Sequence, residues 1–74
     1  MYANTIDVSD LREYKFYHLV AKCDNALNTI NKELLICVDA HAIYYIVKSF
    51  GGVIKETADM KLAVETYNQI AEVQ

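Results

Sequence analysis

Four residues carry side chains able to hold a metal or attack a carbonyl: His18, Cys23, Cys37 and His41, spaced H-x4-C-x13-C-x3-H. Two imidazoles and two thiols suit tetrahedral zinc by type, but their spacing argues against it. Cys37 and His41 stand four apart and share a helix face, whereas His18 and Cys23 stand five apart, about 140° around a helix. Cys23 also falls within an apolar stripe, where a free cysteine packs as a small hydrophobe. A Cys–His nucleophile would further need a cleft and oxyanion donors. The pair Gly51-Gly52 lacks the following Lys-Ser/Thr of a phosphate loop. The expectation is no catalytic residue, no metal and no cofactor.

The tyrosines point elsewhere. There are six, with no tryptophan. Tyrosine suits interfaces because a large apolar body ends in a polar tip and little side-chain entropy is lost on docking. Tyr67 falls on the apolar face of a C-terminal helix and reads as core. Tyr14 and Tyr17 lie behind the main apolar stripe, and adjacent Tyr44 and Tyr45 cannot both be buried by one helix face. These four form the expected partner-binding set, with Asp10, Glu13 and Asp24 as an acidic rim that sets approach rate and specificity.

The elements that would position them are read from periodicity. Phe16, Val20, Cys23, Leu27, Ile30 and Leu34 recur at spacings of 4, 3, 4, 3 and 4, which predicts a helix over about 9–31 after a leader at 1–8. Asp7 or Ser9 would cap it. The stripe fits a core-facing surface or, alternatively, a dimer seam. Asp39 would cap a second helix over 40–50, with Gly51 closing it. Thr57 would cap a third over 58–72. The expected fold is all-α, one compact domain (1–74) of three helices, or four if 34–38 forms another. The alternative is α+β, with a hairpin at 34–48 favoured by β-branched and aromatic content.

Bulk properties narrow the function. The chain has 74 residues, 54% hydrophobic and 23% charged, with net charge −3 and Arg12 its only arginine. A non-specific nucleic-acid binder needs a clustered basic footprint, so none is expected. No apolar run reaches the ~18 residues of a membrane span, and no secretory leader is apparent, so the expected location is the cytoplasm. Two cysteines allow one disulfide at most, so self-association, a dimer foremost, is the expected extra stabiliser for so small a core. Lysine over arginine and many Ile, Asn and Tyr fit an AT-rich reading frame of the phage or mobile-element kind.

The segment Phe50–Ala58 resembles the entry to the helix-turn-helix of Cro-type phage repressors, where a Phe-Gly turn precedes a small residue opening the DNA-binding pair. Beyond those residues Lys61 stands where an apolar residue or the turn glycine belongs. The resulting expectation is a non-enzymatic protein-binding module that modulates a host protein; the alternative is a DNA-binding regulator built on residues 40–73.

Overall fold

The structure, a computed structural model, describes residues 1–11, 18–38 and 40–72. It is an α+β domain, not the expected helical bundle. Four strands, β1 (His18–Asp24), β2 (Asn31–Val38), β3 (Ile43–Ser49) and β4 (Gly52–Thr57), form an antiparallel sheet in sequence order. One helix, α1 (Met60–Gln69), packs on one side, beside a short 3-10 turn at Val8–Leu11.

The expected first helix is overturned by its own asparagines. Leu27, a central member of the supposed stripe, lies in the β1–β2 loop, and Asn28 has φ 56°. Asparagine tolerates that left-handed backbone and caps local turns, so the loop wins over the 3.6 period. The period misleads because β1 carries a bulge. Leu19 pairs with Leu35 and Ala21 with Leu34, so Val20 is the extra residue. Val20, Ala21 and Cys23 are all buried, a pattern that mimics helical spacing. The expected helix over 40–50 is likewise replaced by β3, whose Ile-Tyr-Tyr-Ile-Val run prefers a pleated surface; its expected cap, Asp39, lies outside the described residues. The hairpin alternative is the one adopted, with Val38 opposite Ile43 and Leu34 opposite Val47.

The last helix was legible. Ala63, Val64 and Tyr67 are buried on one face, as the sequence indicates. Its cap is Asp59 rather than Thr57: the Asp59 carboxylate accepts from the backbone N–H of Lys61 (3.0 Å) and Leu62 (3.2 Å). Thr57 instead accepts the Asp59 N–H on its hydroxyl at 3.0 Å.

Strand alternation turns Leu34 and Ile36 of β2, with Tyr45 and Val47 of β3, toward α1. Each large apolar side chain buried there contributes roughly 1.5–3 kcal/mol. Lys32 shares this side and is 1% exposed. Its ammonium donates to the carbonyls of Asn4 (2.7 Å), Tyr67 (2.9 Å) and Ile70 (3.1 Å). It also lies 4.4 Å from the centre of the Tyr67 ring. Tyr67 and Ile70 stand at the C-terminal end of α1, where the Tyr67 carbonyl takes only a 3.3 Å bond from the Ile70 N–H and the dipole favours a cation. Lys32 thus ties the helix end and the N-terminal segment to the sheet. Asn68 adds a second tie, accepting the Ile6 N–H and donating to the Ile6 carbonyl, both at 2.9 Å.

Candidate functional site

The meander places the β1–β2 loop and the β3–β4 turn at the same end of the sheet. In the first, Asn25 Oδ1 accepts the N–H of Thr29 at 2.9 Å, and Asn28 N–H donates to the Asn25 carbonyl at 3.1 Å. This local closure leaves Leu27 82% exposed. In the second, Ser49 pairs with Gly52 across Phe50-Gly51, whose φ values are 49° and 80°. Two positive φ angles in a two-residue loop match a type I′ turn, which asparagine and glycine fill without strain. The Phe50 N–H donates to both the carbonyl and the side-chain oxygen of Asn31, each at 3.2 Å. Asn31, where β2 leaves the first loop, therefore anchors the second.

A bulky residue at positive φ is an outlier, and the left-handed backbone costs roughly 1–2 kcal/mol. Phe50 recovers only part of that by packing, because it is 47% exposed. Val53 and Ile54, just beyond the turn, are 57% and 50% exposed. None of residues 25–31 or 49–54 is ionisable, although charged residues make up 23% of the chain. One end of the sheet is thus tipped with four bulky apolar side chains in two uncharged runs, flanked by Asp24 on the β1 side and by Lys48 and Lys55 on the β4 side.

What this end offers is side chains rather than backbone. Among the described residues no strand pairs with the outer edge of β4. Yet Lys48 opposes Val53 and Val47 opposes Lys55, so Ile54 forms a bulge. A bulge and an exposed lysine are devices that blunt an edge against strand addition.

The described residues among those expected to bind a partner lie apart. Tyr45 is 4% exposed, packed in the core opposite Ile36, and burial raises its hydroxyl pKa. Tyr44 is half-buried on the opposite side of the sheet, across from Cys37. Asp10 closes the 3-10 turn, where its carboxylate accepts the Asp7 N–H at 2.9 Å. It borders a shallow groove of about 450 Å³ with Asp7, Lys61 and Glu65. Asp24 is exposed at the end of β1, beside the Tyr2 hydroxyl. Tyr14, Tyr17 and Glu13 lie outside the described residues.

The thiols and imidazoles do not assemble either. Cys23 opposes Lys32 on the α1 side of the sheet, whereas Cys37 opposes Tyr44 on the other, and both are free and buried. Burial pushes the Cys37 thiol pKa up, partly offset by its hydrogen bond with Tyr44. His18 begins β1 and His41 lies in the β2–β3 connection. Among the described residues no three His, Cys, Asp or Glu groups are placed to hold a metal.

The helix-turn-helix alternative loses its footing, because residues 43–49 and 52–57 are strands and the described residues hold a single α-helix. No helix among them is long and apolar enough to cross a membrane. Compared with known proteins, the chain matches no family model, no curated protein and no solved structure.

Sequence reasoning passed over Leu27 and Phe50 because it took both as members of helical stripes. The signals were present: Asn25 and Asn28 bracket Leu27, and Phe50-Gly51-Gly52 separates two β-branched runs.

Proposed function

We propose that this chain is a non-enzymatic protein-binding module that docks through the apolar-tipped end of its sheet. Leu27, Phe50, Val53 and Ile54 form the contact surface, with Phe50 as the anchor. The observation that carries this reading is Phe50 itself, an exposed aromatic at a φ of 49°. The fold would be served as well there by asparagine, so a strained, exposed phenylalanine is better accounted for by what it touches outside the chain. Aromatic anchors that enter a pocket on a partner dominate many interfaces. A surface of this kind selects a partner that is itself uncharged and apolar, since a charge brought against it would be desolvated without compensation.

Among the described residues each buried polar side chain is already satisfied. Lys32, the buried charged residue among those described, has its ammonium engaged by three carbonyls.

Site-directed photo-crosslinking tests the proposal. Benzoylphenylalanine replaces Phe50 in one variant and Lys61, exposed on α1, in another. After irradiation in lysate of the native cells, position 50 should give protein adducts and position 61 should not. Equal adducts from both positions, or none from position 50, would overturn the reading.

A further inference from the structure

We infer that the partner seated on this end is a second copy of the chain, in an isologous dimer. The inference rests on the protein-binding reading above and names its occupant.

Three observations lead there. The first is electrostatic. The chain carries net charge −3, so most approaches of one copy to another are repulsive. Residues 25–31 and 49–54 contain no ionisable group, and the charges flanking them differ in sign, Asp24 beside the loop and Lys48 and Lys55 beside the turn, so two copies that meet loop against turn bring no like charges together. The patch is complementary to itself because its tips are apolar and its two flanks opposite in charge.

The second is geometric. Two tips, Leu27 on one loop and Phe50 on the neighbouring turn, form two ridges at one end of the sheet. In a two-fold contact each surface element meets the element related to it in reverse. Phe50 of one copy then packs against Leu27 of the other, and the reverse contact forms at the same time. Val53 and Ile54 extend the contact along the β4 side. Four large apolar side chains a side, with the uncharged loop residues between them, suit an interface at or below the standard ~800 Å² per partner.

The third is the shortage of other stabilisers. A core of this size rarely supplies more than ~3–5 kcal/mol. Cys23 and Cys37 sit on opposite sides of the sheet and cannot bridge within one chain. Strand pairing through β4 is blunted by the bulge at Ile54. Burial of the apolar end, which carries Leu27, the most exposed of the large apolar side chains, is then a route by which a second copy adds stability.

Sedimentation velocity over a concentration series from about 10 µM to about 1 mM, a range that captures weak association, tests the inference. The wild type should shift from 8.4 kDa toward twice that mass. Phe50→Asn should stay monomeric throughout, and Leu27→Asn should weaken association at least tenfold. Lys61→Ala should associate like the wild type. Asparagine is at home at positive φ, so Phe50→Asn should fold, and circular dichroism checks that it does.

A wild type that remains monomeric at every concentration overturns the second-copy inference, as does a folded Phe50→Asn that still dimerises. The two readings fail separately. A monomeric wild type that still gives position-50 adducts with another protein overturns only the second copy. A monomeric wild type with no such adducts overturns the docking surface as well.

Discussion

Replacing Lys32 with methionine should remove most of the stability of this domain. Methionine keeps the length and apolar stem of the side chain but deletes the ammonium, which holds the carbonyls of Asn4, Tyr67 and Ile70. The Tyr67 carbonyl contact is buried; that carbonyl keeps the Ile70 N–H at 3.3 Å, but losing its hydrogen bond to a charged donor costs about 1.5–3 kcal/mol. The other two carbonyls are partly buried and recover some water, so about 0.5–1 kcal/mol each is reasonable. Loss of the cation over the Tyr67 ring adds about 0.5–2 kcal/mol, and loss of the charge at the C-terminus of α1 about 0.3–1 kcal/mol. Against this stands relief from burying an ammonium with no carboxylate beside it. The net is a destabilisation of about 2–4 kcal/mol, comparable with the ~3–5 kcal/mol such a core supplies. Urea unfolding followed by circular dichroism measures it, with Lys55→Met on the exposed edge as the control, expected within about 0.5 kcal/mol of wild type. If Lys32→Met unfolds within 0.5 kcal/mol of wild type (about the size of a neutral surface change), the tie between sheet, helix end and N-terminal segment is wrong.

Leu27→Ala should leave thermal melting at low concentration unchanged, because the side chain is exposed, whereas Ile30→Ala, three residues on and buried, should cost ~2–5 kcal/mol. Asp59→Ala removes the acceptor for two N–H groups of α1 and should cost about 0.5–2 kcal/mol by urea titration. Stability should fall at alkaline pH. Burial raises the pKa of Cys37, Tyr45 and Tyr67 in the folded chain. Folding therefore retains protons that the unfolded chain loses, and the stability they confer is full below the unfolded values of ~8.5 for thiol and ~10 for tyrosine and is lost above them. Lys32 acts in the opposite sense, since desolvation lowers its pKa, and softens the slope. Melting temperature against pH in Tyr67→Phe should show a shallower alkaline decline than wild type; an identical decline would contradict this assignment.

Residues 60–69 were legible in sequence because one apolar face, Ala63, Val64 and Tyr67, is repeated cleanly at helical spacing with no turn residue inside it. Residues 18–34 were not, because two departures from regularity happen to mimic a helix. The bulge at Val20 shifts the strand phase by one, and Leu27 at the loop apex falls on the helical period by position alone. Short apolar runs such as 34–38 and 43–47 carry no decisive period, and only pairing partners far along the chain settle them. Lys32 was hidden for a further reason. A lysine within an alternating strand reads as a solvent-facing residue, and nothing local announces that three carbonyls from two distant segments will converge on it. The exposure of Leu27 and Phe50 was hidden as well, because a helical reading turns Leu27 inward and makes Phe50 a helix end, whereas both are exposed loop tips.

The most direct test of the docking surface is thermal unfolding of the wild type and Phe50→Asn at two concentrations, one below and one above the association range. Asparagine relieves roughly 1–2 kcal/mol of left-handed strain and forfeits about 1 kcal/mol of partial burial, so at low concentration the variant should melt no lower than the wild type. At high concentration the wild type alone should gain melting temperature, because association stabilises the folded state by mass action. A variant that melts well below the wild type at low concentration would make Phe50 a packing residue. Equal gains with concentration in both proteins would place the contact elsewhere on the chain.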